Sequence, residues 1–511
     1  MPSSLTLYTV AEIRQIEQAA FAILPSYTLM QRAGTAAANY ARHLLADHDY
    51  SAAILVLVGP GNNGGDALEA ASQLAQSGWN VKIYLSCDPA RLPADAQQAL
   101  LRAQNSPAHF IDENISTQNN WALVVDGLFG IGLTRAITGE ISALIEQINT
   151  LHCPVLALDV PSGLDANTGA IIGANITGKG DSNAIRATHT ITFIANKAGL
   201  HTCDGRDYAG EVHVSDLGLD ADLFPPSSTH LNQTELFASA LQYRRHNSHK
   251  GSYGDVLVLG GAQGMLGAAV LAARTAAKSG AGRVFLACIA EHLNYDSMQP
   301  ELMCRDATDV DFNNATIVAG PGLGTSRAAH DFLARALAAH TPLVLDADAL
   351  NLIAVEAGLQ QKLATRKAHT LLTPHPLEAA RLLGITTSQI QADRLAAARA
   401  LAKKFNATTI LKGSGSVIAV PDGTTVINTT GNPALATAGA GDVLSGLCGA
   451  LLAQNWPLWE AALAAVWLHG KAADNLVTNG IGPIGLTASE LIPEIRSALN
   501  QLVSRQNSAQ K

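Results

Sequence analysis

One recurrent unit restricts the fold more than any other feature. A strand-length apolar run ends on glycine or aspartate and passes into a helical pattern. AAILVLVG (52–59), ALVVDG (122–127) and VLALDVPSG (155–163) are early examples. GDVLVLGG (254–261), ATIVAGPGLG (315–324), PLVLDADAL (342–350), HTLLTPHPLE (369–378) and ATTILKG (407–413) are later ones. An unbroken run such as ILVLV (54–58) suits a strand covered on both faces, the situation of a parallel sheet between helices. Helical stretches such as ALEAASQLAQSG (67–78) and MLGAAVLAARTAAKSGAG (265–282) separate the runs and complete a βαβ grammar. An α/β fold of layered domains is therefore predicted. The runs are also too short to cross a bilayer.

With 511 residues the chain exceeds one ordinary core. ATHTITFI (187–194) and GEVHVSDLG (210–218) are expected to finish a first domain. The polar, proline-bearing FPPSSTHLNQTE (224–235) reads as a connector, after which the same grammar restarts. The expected division is 1–225, a connector at 226–240, and 241–511. SVIAVPDGTTVINTTG (416–431) predicts a hairpin around Pro-Asp-Gly. The two halves do not align as an internal repeat. Basic residues number 33 and acidic residues 42, a net charge of -9, with no long basic run. That argues against a nucleic-acid surface. Six scattered cysteines without a C-x-x-C pair predict buried, reduced thiols and a cytosolic setting. The first residues show no basic segment followed by an apolar core, so no secretory signal is expected.

In open α/β sheets ligands bind beyond the carboxyl ends of the strands, so the residues there carry the functional reading. GPGNNGGD (59–66) offers backbone N–H groups, the amides of Asn62 and Asn63, and Asp66. Its order excludes a G-x-G-x-x-G fingerprint and a P-loop. The plainer alternative is a turn with Asp66 capping the helix that follows. Asn63, Asp126 and Ser162 supply oxygens from three strand ends with one formal charge. Such a set favours a monovalent over a divalent ion, although helix caps and turn acids explain them equally well locally. Asp159 is left to face a substrate. In the second half GPGLGT (320–325) and KGSGS (412–416) suit anions, and His375 and Glu378 sit at a helix entry. In NPALATAGAGDVLSG (432–446), Gly439, Ala440 and Gly441 can present N–H groups at a helix start. Such a start suits charge developing on a transferred phosphoryl group. Asp442 beside it would repel a phosphate if binding were its only role. It makes sense as the acceptor of a hydroxyl proton. An acid favourable to the helix dipole is the local alternative.

GSYGDVLVLGG, GPGLG, LTPHPLEAARLLG, KGS and NPALATAGAGDVLSG, in that order over residues 240–505, resemble the ribokinase-like dehydratase domain that repairs hydrated nicotinamide cofactors. YTVAEIRQIE, LMQRAG, GPGNNGGD, VVDGLFGIGL, LDVPSGLDANTG and TFIANKAGL, over residues 8–220, resemble the Rossmann-like, three-layer epimerase domain associated with it. The chain is thus similar to the bifunctional NAD(P)H-hydrate repair enzymes. The resemblance implies that one half interconverts the R and S hydrates and the other dehydrates the S form to NAD(P)H, with ADP giving AMP and phosphate.

It also implies residue roles. Asn63, Asp126 and Ser162 would hold K+. Asn62, Asn63, Gly64, Gly65 and Asp66, the loop Gly130, Ile131, Gly132, Leu133, Thr134, Arg135 and Ala136, and Asp159 would bind the hydrate, with Asp159 catalytic. Ala268, Gly324, His375 and Asp442 would contact the hydrate in the second half, with Asp442 as the base. Lys412, Gly413, Ser414, Gly415, Ser416 and Gly441 would bind the nucleotide, accompanied by Mg2+. The implied partners are small-molecule nucleotides, with no nucleic acid and no membrane, in a homo-oligomer. Three positions depart from the family pattern. Ala67 and Ile131 stand where glycine and threonine are usual, and Pro433-Ala434-Leu435 replaces Pro-Gly-Met. The competing readings are a kinase of vitamin precursors or sugars, and a nucleotide-sensing scaffold that binds without turnover.

Overall fold

A computed structural model describes residues 5–111, 115, 120–173, 183–289 and 293–509. The chain divides into two compact units, Met1–His230 and Leu231–Lys511.

The first unit is built on a seven-stranded sheet. Its spatial order is His109–Ile111, Asn80–Leu85, Ala53–Val58, Trp121–Gly127, Val155–Leu158, His189–Phe193, Glu211–Ser215, and every neighbouring pair is parallel. The apolar run at 54–58 shows why. Ile54, Val56 and Val58 enter one core, which they share with the helices Thr28–Leu44 and Asn62–Gln76, while Leu55 and Leu57 enter another on the opposite face. A strand buried on both faces has no use for polar alternation. The first core holds Leu68, Ala71 and Leu74 of the Asn62–Gln76 helix at the spacing of one helical face.

The second unit holds most of a ten-stranded sheet. Its order is Thr229–Leu231, Thr425–Ile427, Val417–Ala419, Thr408–Leu411, Thr370–Leu372, Leu343–Leu345, Thr316–Ala319, Asp255–Gly260, Arg283–Cys288, Met303–Asp306. From Thr408–Leu411 to Met303–Asp306 all pairs are parallel. The expected hairpin is present: Val417–Ala419 pairs antiparallel with Thr425–Ile427, and Val420 and Thr424 close the turn. Helices Leu266–Lys278, Ala440–Ala453, Leu458–Thr478 and Ala488–Ala509 cover one face. The last of these was not read from the sequence.

No disulfide is present among the described residues. Only Cys288 and Cys448 are buried, and Cys87, Cys153, Cys203 and Cys304 are half-buried, fewer buried thiols than expected. No described helix is long and apolar enough to cross a membrane.

Candidate active sites

In the first sheet the strand order turns back between Ala53–Val58 and Trp121–Gly127, so the loops after these strands part and leave a crevice. A cleft of about 640 Å³ opens there, lined by Glu17, Asn62, Asn63, Asp66, the 128–135 loop and Asp159. The helix begins at Asn62 with Gly61 as its cap, five residues before the expected start at Ala67. Asp66 is therefore not the capping residue; it stands in the second turn. The glycines explain the difference. A Cβ on Gly64 would lie 2.1 Å from the Gly59 carbonyl, and one on Gly65 would lie 2.4 Å from Met30 Cε. Released from capping, Asp66 lines the cleft. Burial, then the charges of Asp159, Glu17 and Glu69, hold its carboxyl well above the usual carboxylate range.

Three strand ends converge on the segment 127–130. Asp126 is fully buried, and its carboxylate accepts the Ser162 N–H (2.9 Å), the Ser162 hydroxyl (2.7 Å) and the Leu128 N–H (3.2 Å). Burial outweighs these bonds and pushes its pKa up to about 6. Ser162 Oγ also accepts the Phe129 N–H at 2.8 Å. Asn63 packs against this segment, since a Cβ on Gly130 would lie 3.4 Å from Asn63 Cγ. Its carboxamide is buried, yet neither its oxygen nor its nitrogen has a hydrogen-bond partner. An orphaned amide in such a place costs about 1–3 kcal/mol unless something else satisfies it. An oxygen without a donor beside a buried carboxylate fits a cation.

Asp159 follows the next strand, with φ at 68°. Its Oδ2 accepts the Ile131 N–H at 2.9 Å, and its Oδ1 meets Lys197 Nζ at 2.9 Å. Lys197 is fully buried, and its ammonium also donates to Thr192 Oγ1 (2.6 Å) and the Phe193 carbonyl (2.9 Å). A Cβ on Gly130 would lie 2.7 Å from Asp159 Oδ2, so glycine there lets the loop close over the carboxylate. Ile131 gives Asp159 a backbone N–H, while its side chain packs against apolar clusters. This contact does not use the hydroxyl missing at 131. Gly132, Thr134, Arg135 and Ala136 are exposed, and Leu133 is half-buried.

In the second sheet the order turns back between Asp255–Gly260 and Thr316–Ala319. Ala268 lies in the first turn of the Leu266–Lys278 helix after the first of these strands. Gly324, at φ 70°, follows the second and donates its N–H to Asp348 Oδ2 at 2.8 Å. The next three strands deliver Asp346, His375 and Lys412 to the same edge. Lys412 Nζ pairs with the buried Asp346 Oδ1 at 2.7 Å. Burial alone would lower the Lys412 pKa, but Asp346, Glu378 and Asp442 outweigh it and raise it.

His375 caps the Pro376–Leu383 helix. Its Nδ1 accepts the Leu377 N–H at 3.1 Å, while Glu378 returns a bond to the His375 N–H at 2.8 Å. Burial, then Lys412, lowers the His375 pKa, and burial pushes Glu378 up to about 7. The KGSGS loop closes on itself, with the Gly413 N–H and the Ser416 hydroxyl 3.3 Å apart; Ser414 is exposed and Gly415 buried.

The Ala440–Ala453 helix starts from Gly439 at φ 89° and carries Asp442 in its first turn. Gly441 faces the lysine, because a Cβ there would lie 3.2 Å from Lys412 Nζ. Burial and the nearby Asp346 raise the Asp442 pKa to about 7, against the pull of Lys412. Asn432 is committed to structure: its Nδ2 donates to Asp474 at 2.9 Å and its Oδ1 caps Ala434 at 3.0 Å.

Comparison with known proteins places this geometry. The family described as NAD(P)H-hydrate dehydratase matches residues 256–496, and the YjeF-related protein N-terminus matches residues 26–199. The bifunctional NAD(P)H-hydrate repair enzyme Nnr of Coxiella burnetii is 38% identical, over 97% of this chain and 99% of its own. The enzyme of the same description from Escherichia coli K12 is 36% identical, over 98% of this chain and 95% of its own. The chain belongs to the bifunctional NAD(P)H-hydrate repair enzyme family. Membership sets aside the small-molecule kinase reading. Among solved structures, the ADP/ATP-dependent NAD(P)H-hydrate dehydratase of Bacillus subtilis, co-crystallised with ATP and Mg2+, is 30% identical with a TM-score of 0.47, covering 53% of this chain and 98% of its own.

Several residues at these two edges of the repair enzyme escaped sequence reasoning. Lys197 lies inside the quoted TFIANKAGL, but nothing local says that its ammonium turns back to Asp159. Asp346 and Asp348 sit in PLVLDADAL, where an acid-x-acid pattern at a strand end is the local signal. Glu17 lies on the first helix, far in sequence from the strand ends it faces.

Proposed function

We propose that the protein repairs hydrated nicotinamide cofactors, equilibrating the R and S hydrates in residues 1–230 and dehydrating the S hydrate in residues 231–511. The observation that carries this reading is Asp442, a half-buried carboxyl of raised pKa at a helix N-terminus beside Lys412. Asp442 takes the proton of the substrate's C6 hydroxyl as that oxygen attacks the terminal phosphorus of the nucleotide. With ADP as donor, the bond between the α and β phosphates breaks and AMP leaves. The ring nitrogen lone pair then expels phosphate from C6, and loss of a C5 proton restores the dihydropyridine. Lys412 and the N–H groups at Gly439–Gly441 hold the transferring phosphoryl oxygens. Ala268, Gly324 and His375 position the hydrate, and the Gly413–Ser416 loop holds the nucleotide.

Mg2+ neutralises phosphate charge when bound. Asp346, Asp348 and Glu378 suit a cation that keeps waters and phosphate oxygens, and among the described residues no cluster of three or more acids, histidines or cysteines forms a cage of its own. In the first unit K+ fits the orphaned Asn63 amide, Asp126 and Ser162, where it supplies charge balance and order. Asp159, held by Lys197, supports loss and return of the hydroxyl through an iminium. A cytosolic homo-oligomer completes the proposal.

The decisive assay follows recovery of reduced-nicotinamide absorbance from a mixed R/S preparation of NADPH hydrate with ADP, Mg2+ and K+, then with ATP. Full recovery, faster than spontaneous epimerisation, is expected. Recovery that stops at the S fraction would remove the first-unit assignment, and no recovery with either nucleotide would remove the second.

Two further results are expected. The kcat/KM for dehydration should rise with pH through about 7 and then level, because Asp442 accepts a proton only when ionised. A flat profile across that range would count against Asp442 as base. K+ should raise Tm more than Li+ at equal ionic strength, and Asp126→Asn should abolish the difference. Equal effects of the two ions in the unsubstituted protein would remove the cation site.

A further inference from the structure

We infer that Arg394 is a positioning residue of the nucleotide site, its guanidinium setting the backbone of the Lys412–Ser416 loop from behind. The inference rests on the reading of that loop as the nucleotide element. Arg394 opens the Arg394–Phe405 helix and is 1% exposed. Its Nη2 donates to the carbonyls of Leu411 and Lys412, both at 3.2 Å, and its Nη1 donates to Gln391 Oε1 at 2.8 Å. Gly413 rests on the guanidinium: a Cβ there would lie 2.8 Å from both Nη atoms. Its φ of 142° is itself a glycine conformation.

The helix does not use this arginine as its cap. The helix already has a cap, Asp393, whose carboxylate accepts the Ala396 N–H at 2.8 Å. Packing alone would be served by an apolar side chain without the desolvation cost of a buried charge. What the guanidinium adds is geometry and sign. It draws two successive carbonyls inward at the point where the strand turns into the loop. The Lys412 side chain meanwhile reaches Asp346 and the Gly441 helix start. It also places a fixed positive charge behind a site where Asp346, Glu378 and Asp442 act on Lys412. A polyphosphate entering that edge meets acids, and a cation shielded from solvent offsets them more than one in water would. A lysine cannot reproduce the planar fork that reaches both carbonyls and Gln391.

The test uses the full chain with the purified S hydrate of NADPH, ADP and Mg2+. Arg394→Lys, Arg394→Met and Gly413→Ala are compared with the unsubstituted protein for kcat, for KM of ADP and of hydrate separately, and for the rise in Tm on adding ADP. Each substitution is expected to raise the KM for ADP about tenfold or more and to shrink the ADP-induced rise in Tm, with the KM for hydrate within about twofold. If Arg394→Met fails to fold, Arg394→Lys and Gly413→Ala give the same reading. Folded variants with an unchanged KM for ADP would overturn the inference, as would equal rises in both KM values. An unsubstituted protein whose Tm does not respond to ADP would overturn the nucleotide reading itself, and the inference with it.

Discussion

Asp442→Asn should lower the kcat for dehydration of the S hydrate by about 10²–10⁴-fold, the usual contribution of a positioned general base. The substitution keeps the shape of the side chain and removes only its capacity to take a proton. Nucleotide binding should survive, because a carboxylate beside incoming phosphates opposes binding. The KM for ADP is therefore expected to stay level or fall while kcat collapses, a split that a misfolded variant would not give. R/S equilibration should continue, since Asp159, Lys197 and the first cleft are untouched by the change. The measurement is a steady-state assay on pure S hydrate together with chromatographic separation of the epimers. A kcat within tenfold of the unsubstituted protein would remove Asp442 from the base role.

Lys197→Met should have the largest effect in the first unit. The side chain is fully buried and its ammonium is the charge partner of Asp159. Removing one member of a buried pair leaves the other without compensation, at a cost of about 3–5 kcal/mol. Thermal unfolding should therefore begin at lower temperature. Epimerisation should fall by about 10²-fold or more, because an unpaired Asp159 no longer holds its place under Gly130 and Ile131. Adding Asp159→Asn to Lys197→Met should return most of the lost stability, since no uncompensated charge remains, but none of the activity. If the double variant recovered epimerisation, Asp159 would be structural. If the single variant were as stable and active as its parent, the ion pair would be irrelevant to both.

Much of the fold was legible because parallel strands buried on both faces leave an unmistakable apolar run. The polar residues that close each run then fall at one edge of a sheet. The placement of the candidate site residues was legible to the same depth. Asp126, Asp159, Lys412 and Asp442 all follow runs or glycine-rich turns that can be seen locally. What sequence could not supply is which of them face each other. Lys412 and Asp346 are 66 residues apart, and nothing within either segment names the other. Arg394 looks like an ordinary charged residue of an amphipathic helix, and its burial is a product of packing. The early start of the Asn62–Gln76 helix was missed for a related reason. Two adjacent glycines read as a loop until the Gly59 carbonyl and Met30 are known to press against them.

Each unit carries its own sheet and its own reversal of strand order, yet both are translated from one message. Dosage is thereby settled at synthesis: every copy of one activity arrives with a copy of the other. A cell holding such a chain cannot favour one step over the other through transcription. The ratio of the two steps is then left to the turnover numbers and to the supply of nucleotide and ions that each step draws on.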